Sequence, residues 1–366
     1  MANFKSNVQF NVFDLDLNLL SSQATQDVQF YDDADYKYNG KTYKDIIEFI
    51  YFNDDVYFAS VFGGSNLTLS GSGTVTGILN LYWAGEDWVE SWGIESISYS
   101  ANLIAAAVNT TSRSDDYAII KAIMKGNDNI TMSGYADTVS GYSGNDAIKG
   151  MGGDDILYGD IGNDNLDGGS GDDIIHGDVS HSDGTYSSVK GNDTLKGGEG
   201  NDQLDGGYGN DSISGGNGND LIYGAGGTDI MSGDGGNDIM VAYQTKDKLT
   251  GGAGSDTFVF YSYEGAMNAT VTDFKSGTDF LDVECYSISL NDFVVMDSTN
   301  FSSGKGLTSS KSSSKFVYDS SKGNLYFDAD GNGSGKGQLI VTLVGTKTLS
   351  TNDFTAVDLS GYDLFV

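Results

Sequence analysis

Between residues 126 and 258 the chain repeats an aspartate every nine residues, and two residues after each aspartate stands one large apolar side chain. The aspartates are Asp128, Asp137, Asp146, Asp155, Asp164 and Asp173, then, after eleven extra residues, Asp193, Asp202, Asp211, Asp220, Asp229, Asp238, Asp247 and Asp256. Their apolar companions run from Ile130, Val139, Ile148, Leu157, Leu166 and Ile175 to Leu195, Leu204, Ile213, Ile222, Met231, Met240, Leu249 and Phe258. One inward residue in nine suits neither a helix nor an ordinary sheet face, whose periods are 3.6 and 2. It suits a solenoid in which each nonapeptide is a tight turn plus a very short strand, stacked so that the apolar residues form a thin continuous core.

The other positions carry the chemistry. In the type unit Gly197-Gly-Glu-Gly-Asn-Asp-Gln-Leu-Asp205, counted as positions one to nine, the glycines permit positive φ and close backbone approach. Such a turn can aim several carbonyl oxygens at one point, and the aspartate adds an anionic oxygen. An all-oxygen donor set is what calcium prefers. Softer metals want histidine or cysteine, and the chain has two histidines and one cysteine. Aspartates eighteen residues apart fall on the same edge of such a stack, where two carboxylates about 5 Å apart repel by about 3 kcal/mol at an effective dielectric near 20. A divalent ion between turns converts that repulsion into attraction, so folding is expected to be coupled to metal binding.

Charge agrees with this reading. Residues 126–258 hold twenty-two aspartates and one glutamate against five lysines, a balance of −18 within a chain of net charge −33. Arg113 is the only arginine, so no basic groove can follow a phosphate backbone, and nucleic acid is excluded as a partner. No run of eighteen apolar residues is present, so no membrane span is expected. Cys285 stands alone and can form no internal disulfide. The first residues lack a basic patch followed by an apolar stretch, so a cleaved signal peptide is not expected.

The flanks read differently. Alternation in Val8–Val12 and Tyr57–Phe62, with Gly63-Gly64 and Gly71-Ser-Gly73 as turns, predicts a β-rich module over residues 1–110. Asp45–Phe52 reads equally as a short helix or a buried strand. Helical pieces are expected at Ala101–Val108 and Ser114–Lys125; the second starts at a capping pair, Ser112 and Asp115, and forms a helix over 111–125 that plugs the open end of the roll. The roll spans 126–259 with an interruption at 178–190. Residues 260–366 return to strands at Val271–Phe274, Phe316–Tyr318, Asn324–Phe327 and Leu339–Leu343 around a serine-rich loop, Ser302–Ser314, and form a cap. The expected class is all-β with minor α: a parallel β-roll solenoid of nonapeptide repeats between an N-terminal β module and a C-terminal β cap.

These residues resemble the RTX (repeats-in-toxin) calcium-binding family, whose unit is GGxGxDxUx with U a large apolar residue. The resemblance implies several calcium ions. Each lies between turns two repeats apart, held by carbonyls at positions two and four of one turn, carbonyls at positions one and three of the other, and both aspartates. One implied site joins Gly198, Gly200 and Asp202 to Gly215, Asn217 and Asp220; another joins Tyr142, Gly144 and Asp146 to Gly159, Ile161 and Asp164. Further implied carbonyl ligands are Gly153, Gly162, Gly168 and Ser170, then Gly206, Gly207, Tyr208, Gly209, Gly216, Gly218, Gly224, Gly226, Gly227, Gly233, Gly235, Gly236, Gly251 and Ala253. The implied aspartate ligands are all of the series except Asp247. Its turn, Ala242–Asp247, has no glycine and places Lys246 beside the aspartate, so it is expected to be ion-free; the single-glycine turn Met132–Asp137 is expected to bind weakly.

The C-terminal portion also resembles this family's secretion unit, through Asp256–Phe260, Val271–Phe274, Asn324–Gly331 and the ending Asp363-Leu-Phe-Val366. That implies the type I secretion machinery as a partner, export from a Gram-negative cell and an extracellular location. Three other groupings have plainer readings. Asp328–Gly333 begins like an EF-hand loop, but position twelve would be Leu339, so a hairpin turn is expected. His176 and His181 sit at the interruption of the roll, where a surface loop accounts for His181 better than a ligand role. Glu86, Asp87 and Glu90 among Trp83, Trp88 and Trp92 read as hairpin aromatics with solvated carboxylates rather than a glycosidase pair. With two histidines, neither a Ser-His-Asp triad nor an HExxH zinc site is available to the N-terminal module. The expected function is therefore non-enzymatic: a secreted calcium-binding protein of the cell surface or matrix, in adhesion, biofilm or surface-layer assembly, with surface polysaccharide or self-association as its contacts. The alternative is a secreted glycan-active enzyme or toxin acting through residues 1–110.

Overall fold

The computed structural model describes residues 3–6, 27–31, 36–38, 41–43, 45–53, 56–65, 74–83, 88–100, 125–132, 134–178, 191–243, 246–263, 267–287, 292–305, 307, 315–328 and 337–357, with the backbone alone before residue 125. The chain forms two compact units, Met1–Ile161 and Gly162–Val366. Among the described residues nearly everything is strand or turn, and the one helix is the 3-10 turn Thr351–Asp353. No helix there is long and apolar enough to cross a membrane.

In the first unit, Asp27–Tyr31, Asp45–Asn53, Val56–Ser65, Thr74–Trp83 and Trp88–Ser100 pair antiparallel in that order. The run that sequence left undecided, Asp45–Phe52, is thus a strand. Trp83 stands opposite Trp88 and Leu81 opposite Glu90, so the tryptophans flank a hairpin whose connection, with Glu86 and Asp87, lies outside the described residues. Strand Asn3–Ser6 pairs antiparallel with Trp88–Ser100 and parallel with Asn129–Thr131, the first strand of the roll, which pairs in turn with Ala147–Lys149. That strand thus extends the sheet of the roll beyond its first turn. The expected helices lie outside the described residues except for Lys125, whose backbone bridges Ser143 in parallel.

In the second unit the roll is two parallel sheets. One stacks Asn165–Ser170, Thr194–Glu199, Ser212–Asn217, Ile230–Gly235 and Lys248–Ala253; the other stacks Ile174–His176, Gln203–Asp205, Leu221–Tyr223, Ile239–Tyr243 and Thr257–Tyr263. Register puts like on like: Leu195 on Ile213 on Met231 on Leu249, and Leu204 on Ile222 on Met240 on Phe258. All eight are buried, which gives the thin core that the period predicted. His176, at the near side of the interruption, ends a strand, is buried, and pairs in register with Asp205.

Stacking continues past the last repeat. Ala269–Val271 pairs parallel with Lys248–Ala253, and Phe280–Ser287 with Thr257–Tyr263. Gln338–Leu343 then pairs parallel with Ala269–Val271 and antiparallel with Asn324–Phe327, whose connecting turn, 329–336, lies outside the described residues. Phe301–Gly304, expected at the start of the serine-rich loop, is a strand paired with Phe316–Asp319.

Candidate metal centre

Every turn aspartate among the described residues is buried. Each sits where it does because one carboxylate oxygen bonds the stack. Asp220 Oδ1 accepts from the Asp202 amide at 2.9 Å, and the same bond joins Asp193 to Asp211, Asp211 to Asp229, Asp229 to Asp247, and Asp238 to Asp256. Asp128 with Asp146 and Asp137 with Asp155 repeat it in the first unit. The eighteen-residue neighbours inferred from sequence are therefore brought together, edge by edge, and the insertion stretches the spacing to 29 between Asp164 and Asp193 without breaking the bond.

The other oxygen is the informative one. Oδ2 of Asp193, Asp202, Asp211, Asp220, Asp229 and Asp238 is buried and has no hydrogen-bond donor. Leaving a buried carboxylate oxygen unsatisfied costs about 1–3 kcal/mol or more, so six in succession call for a shared partner. Burial pushes these carboxyls up, against the opposing effect of the amide bonds: Asp202 and Asp238 to about 6, Asp211 and Asp220 to about 7, Asp193 to about 8. Asp229 is raised as well, first by burial, with Asp247 near enough to share a hydrogen bond.

Glycine lets the donors for that partner close on the turn. A methyl group on Gly197 would lie 2.5 Å from the Gly215 carbonyl oxygen and nearer still to Asp202 Oδ2. The same crowding recurs at Gly233, 2.7 Å from Gly251 O and beside Asp238 Oδ2, and at Gly141, 2.9 Å from Gly159 O and beside Asp146 Oδ2, so a side chain at position one would displace both oxygens. Carboxylate and carbonyl oxygens are the donors that calcium takes, so the donor set fits that ion. Among the described residues no three His, Cys, Asp or Glu side chains could hold a metal together. A cation here must draw on backbone carbonyls, as the repeat chemistry requires.

The carbonyls implied at the other positions lie in the same columns. Those at position three, Ile161, Asn217, Gly235 and Ala253, accept from the amides of Gly144, Gly200, Gly218 and Gly236 at 2.7–2.9 Å. Positions two and four stack glycine on carbonyl, with Gly216 against Gly198 O and Gly218 against Gly200 O. Position two is left-handed in these turns even where it is not glycine: Tyr142, Met151, Asp160, Ala225 and Asp234 all have φ between 55 and 77°. The turn at Asp247 keeps its aspartate in the ladder, but a buried Ala242 stands where other turns have glycine.

Three features escaped sequence reasoning. The first is a second ladder at position five, where Asn127, Asn192, Asn201 and Asn219 accept from the amides of Asn145, Asn210, Asn219 and Asn237. It runs opposite to the aspartate ladder, and the recurring asparagine was its only signal. The second is the neck of the insertion, which replaces position three of one turn. Asp178 Oδ1 and Oδ2 accept from Gly191 at 2.9 and 3.1 Å, and Oδ2 from Tyr208 at 2.8 Å, so the two ends are clamped together; His181 and the rest of 179–190 lie outside the described residues. The third is Asp279, twenty-three residues beyond Asp256 and so off the period, which accepts from the Asp256 amide as a further turn aspartate would.

Comparison with known proteins matches the family model for the RTX calcium-binding nonapeptide repeat, in overlapping copies at residues 125–157, 132–166, 149–180, 189–222, 205–240 and 223–258. The copies stop at the insertion and resume after it. Comparison with curated proteins found no match. A nine-residue period, an aspartate ladder with unsatisfied inner oxygens, and position-one glycines packed against those oxygens converge with that match: residues 125–258 of the chain are RTX calcium-binding nonapeptide repeats.

Proposed function

We propose that this is a secreted structural protein of the cell surface or extracellular matrix, without catalytic activity, whose roll folds when it meets external calcium. The observation that carries the reading is the row of six buried, donor-less aspartate oxygens, a roll that is costly to close without a divalent ion. The aspartates from Asp128 to Asp238, with Asp256, and the carbonyls at positions one to four are its ligands. A chain that stays open where calcium is scarce suits export by the type I machinery, and its C-terminal resemblance to that secretion unit supports the same route. The N-terminal antiparallel strands form the contact module, for surface polysaccharide or for further copies of the chain.

Light scattering on the whole chain tests the assembly role. Expected is a species larger than one chain at millimolar calcium, the range of extracellular sites, that reverts in chelator; a monomer under both conditions overturns it. Glycan hydrolysis by the parent chain that a Glu86→Ala, Asp87→Ala, Glu90→Ala triple variant loses would overturn the non-catalytic reading.

A further inference from the structure

The last gap on one edge of the roll differs from those before it. Between interior turns the following aspartate uses Oδ1 on the stack and leaves Oδ2 buried without a donor, as in Asp220 and Asp238. Beyond the turn Gly251–Asp256, Asp279 uses Oδ1 on the Asp256 amide at 3.3 Å, and its Oδ2 accepts from the Lys275 amide at 2.7 Å. Asp273 accepts from the amides of Gly251 and Gly252 at 3.0 and 2.8 Å. The ammonium of Lys275 stands 3.4 Å from the carbonyl oxygen of Gly252, a position-two oxygen of the kind that the calcium reading makes a ligand.

The charge balance is also particular to this gap. Asp256, Asp273 and Asp279 gather there through the amide bonds of Gly251, Gly252, Asp256 and Lys275, and Lys275 brings a cation to the same segment. The segment Thr272–Asp279 contributes a single glycine, Gly277, where the turns at Asp202, Asp211, Asp220 and Asp238 each bring three. With its oxygens bonded by backbone amides and its carbonyl approached by an ammonium, this gap is complete without a metal.

We propose that Lys275 is a built-in cation that takes calcium's place in the gap between Asp256 and Asp279 and so ends the ion ladder. The proposal rests on the calcium reading of the interior gaps. A fixed ammonium costs no metal, so the C-terminal end of the roll closes before the ions arrive and offers them a finished turn to stack upon.

Calcium bound per chain, measured by native mass spectrometry on the whole protein and on Lys275→Met, Lys275→Arg and Asp279→Asn, tests this. Lys275→Met, which frees the gap, is expected to hold one ion more than the parent and to need more calcium for folding, while Lys275→Arg keeps the parental count. Asp279→Asn is expected to keep the parental count because its carboxylate holds no ion. An unchanged count in Lys275→Met, its failure to fold even in excess calcium, or the loss of one ion in Asp279→Asn would each overturn the proposal. A parent chain that binds no calcium would instead overturn the reading beneath it.

Discussion

At the scale of single residues, Gly197 and Gly200 stand in one turn for different reasons. Gly200 has φ +131° and its Cα faces the Gly171 carbonyl, so a side chain there is strained and crowded. Gly197 has no left-handed backbone to satisfy; an added methyl would instead collide with Asp202 Oδ2 and Gly215 O and push both aside. Gly200→Ala is therefore expected to lose about 1–3 kcal/mol in urea unfolding at saturating calcium with ions still bound throughout the rest of the ladder. Gly197→Ala is expected to lose one ion and raise the calcium midpoint; a parental count would show that the displaced oxygens are not ligands. The same carboxyls set a pH dependence. Their folded values are raised to about 6–8 by burial, against about 3.9 when unfolded, so the metal-free fold binds more protons than the unfolded chain. Its stabilisation by protonation is full below about pH 4 and lost as pH rises through 6–8. Calcium-free protein is thus expected to show more β circular dichroism at pH 5 than at pH 8. With calcium the trend reverses, because protons and ion compete for the same oxygens, and the calcium midpoint falls from pH 6 to 8. A midpoint independent of pH would remove these carboxylates from the ligand set.

At the scale of elements, the roll is held by two side-chain ladders of opposite direction, and only one of them involves the inner carboxylates. Asn219 accepts from the Asn237 amide at 2.7 Å on the exposed side of the turn, where water can replace it. Asn219→Ala is accordingly expected to cost about 0.5–1.5 kcal/mol and Asn219→Asp much less, since the acceptor remains. Leu195→Ala opens the one-residue-wide core and is expected to cost about 2–5 kcal/mol. Urea midpoints at saturating calcium rank the three, and an asparagine loss as large as the leucine loss would contradict the ranking. What could be read in advance follows from the same distinction. Asp202 and Leu204 repeat with a strict period, and a period of nine with one buried apolar residue admits few folds. Asn219 also repeats, but asparagine is an ordinary turn residue, so its partner eighteen residues away stayed hidden. Asp279 lies twenty-three residues from Asp256, outside any register. Asp45–Phe52 is apolar on both faces and shows no period to separate helix from strand, until its antiparallel partners decide it.

At the scale of the whole molecule, the question is what kind of charge compensation closes a chain of net charge −33. Stacked turn aspartates are spaced by about one strand separation, near 4.8 Å, which is shorter than the Debye length of about 8 Å at physiological ionic strength. Monovalent salt therefore screens distant charges but leaves neighbouring aspartates repelling each other, and it offers nothing to six buried oxygens without donors. Magnesium neutralises charge but demands a near-octahedral shell at 2.0–2.1 Å and keeps its water, which a cradle of fixed carbonyls does not accommodate. Each interior aspartate also ties its own turn to the one stacked beneath it, eighteen residues earlier on the same edge, so filling one gap orders the donors of the next, as in a nearest-neighbour stack. Followed by circular dichroism, β structure should rise steeply with calcium near millimolar, with a Hill coefficient above about 2 as expected of such coupling. Sodium chloride at physiological strength or magnesium at the same concentration should leave the signal near its metal-free level. Equal folding in magnesium would mean that bulk neutralisation, rather than carbonyl ligation, drives the transition, and a gradual calcium response would mean that the turns fill independently.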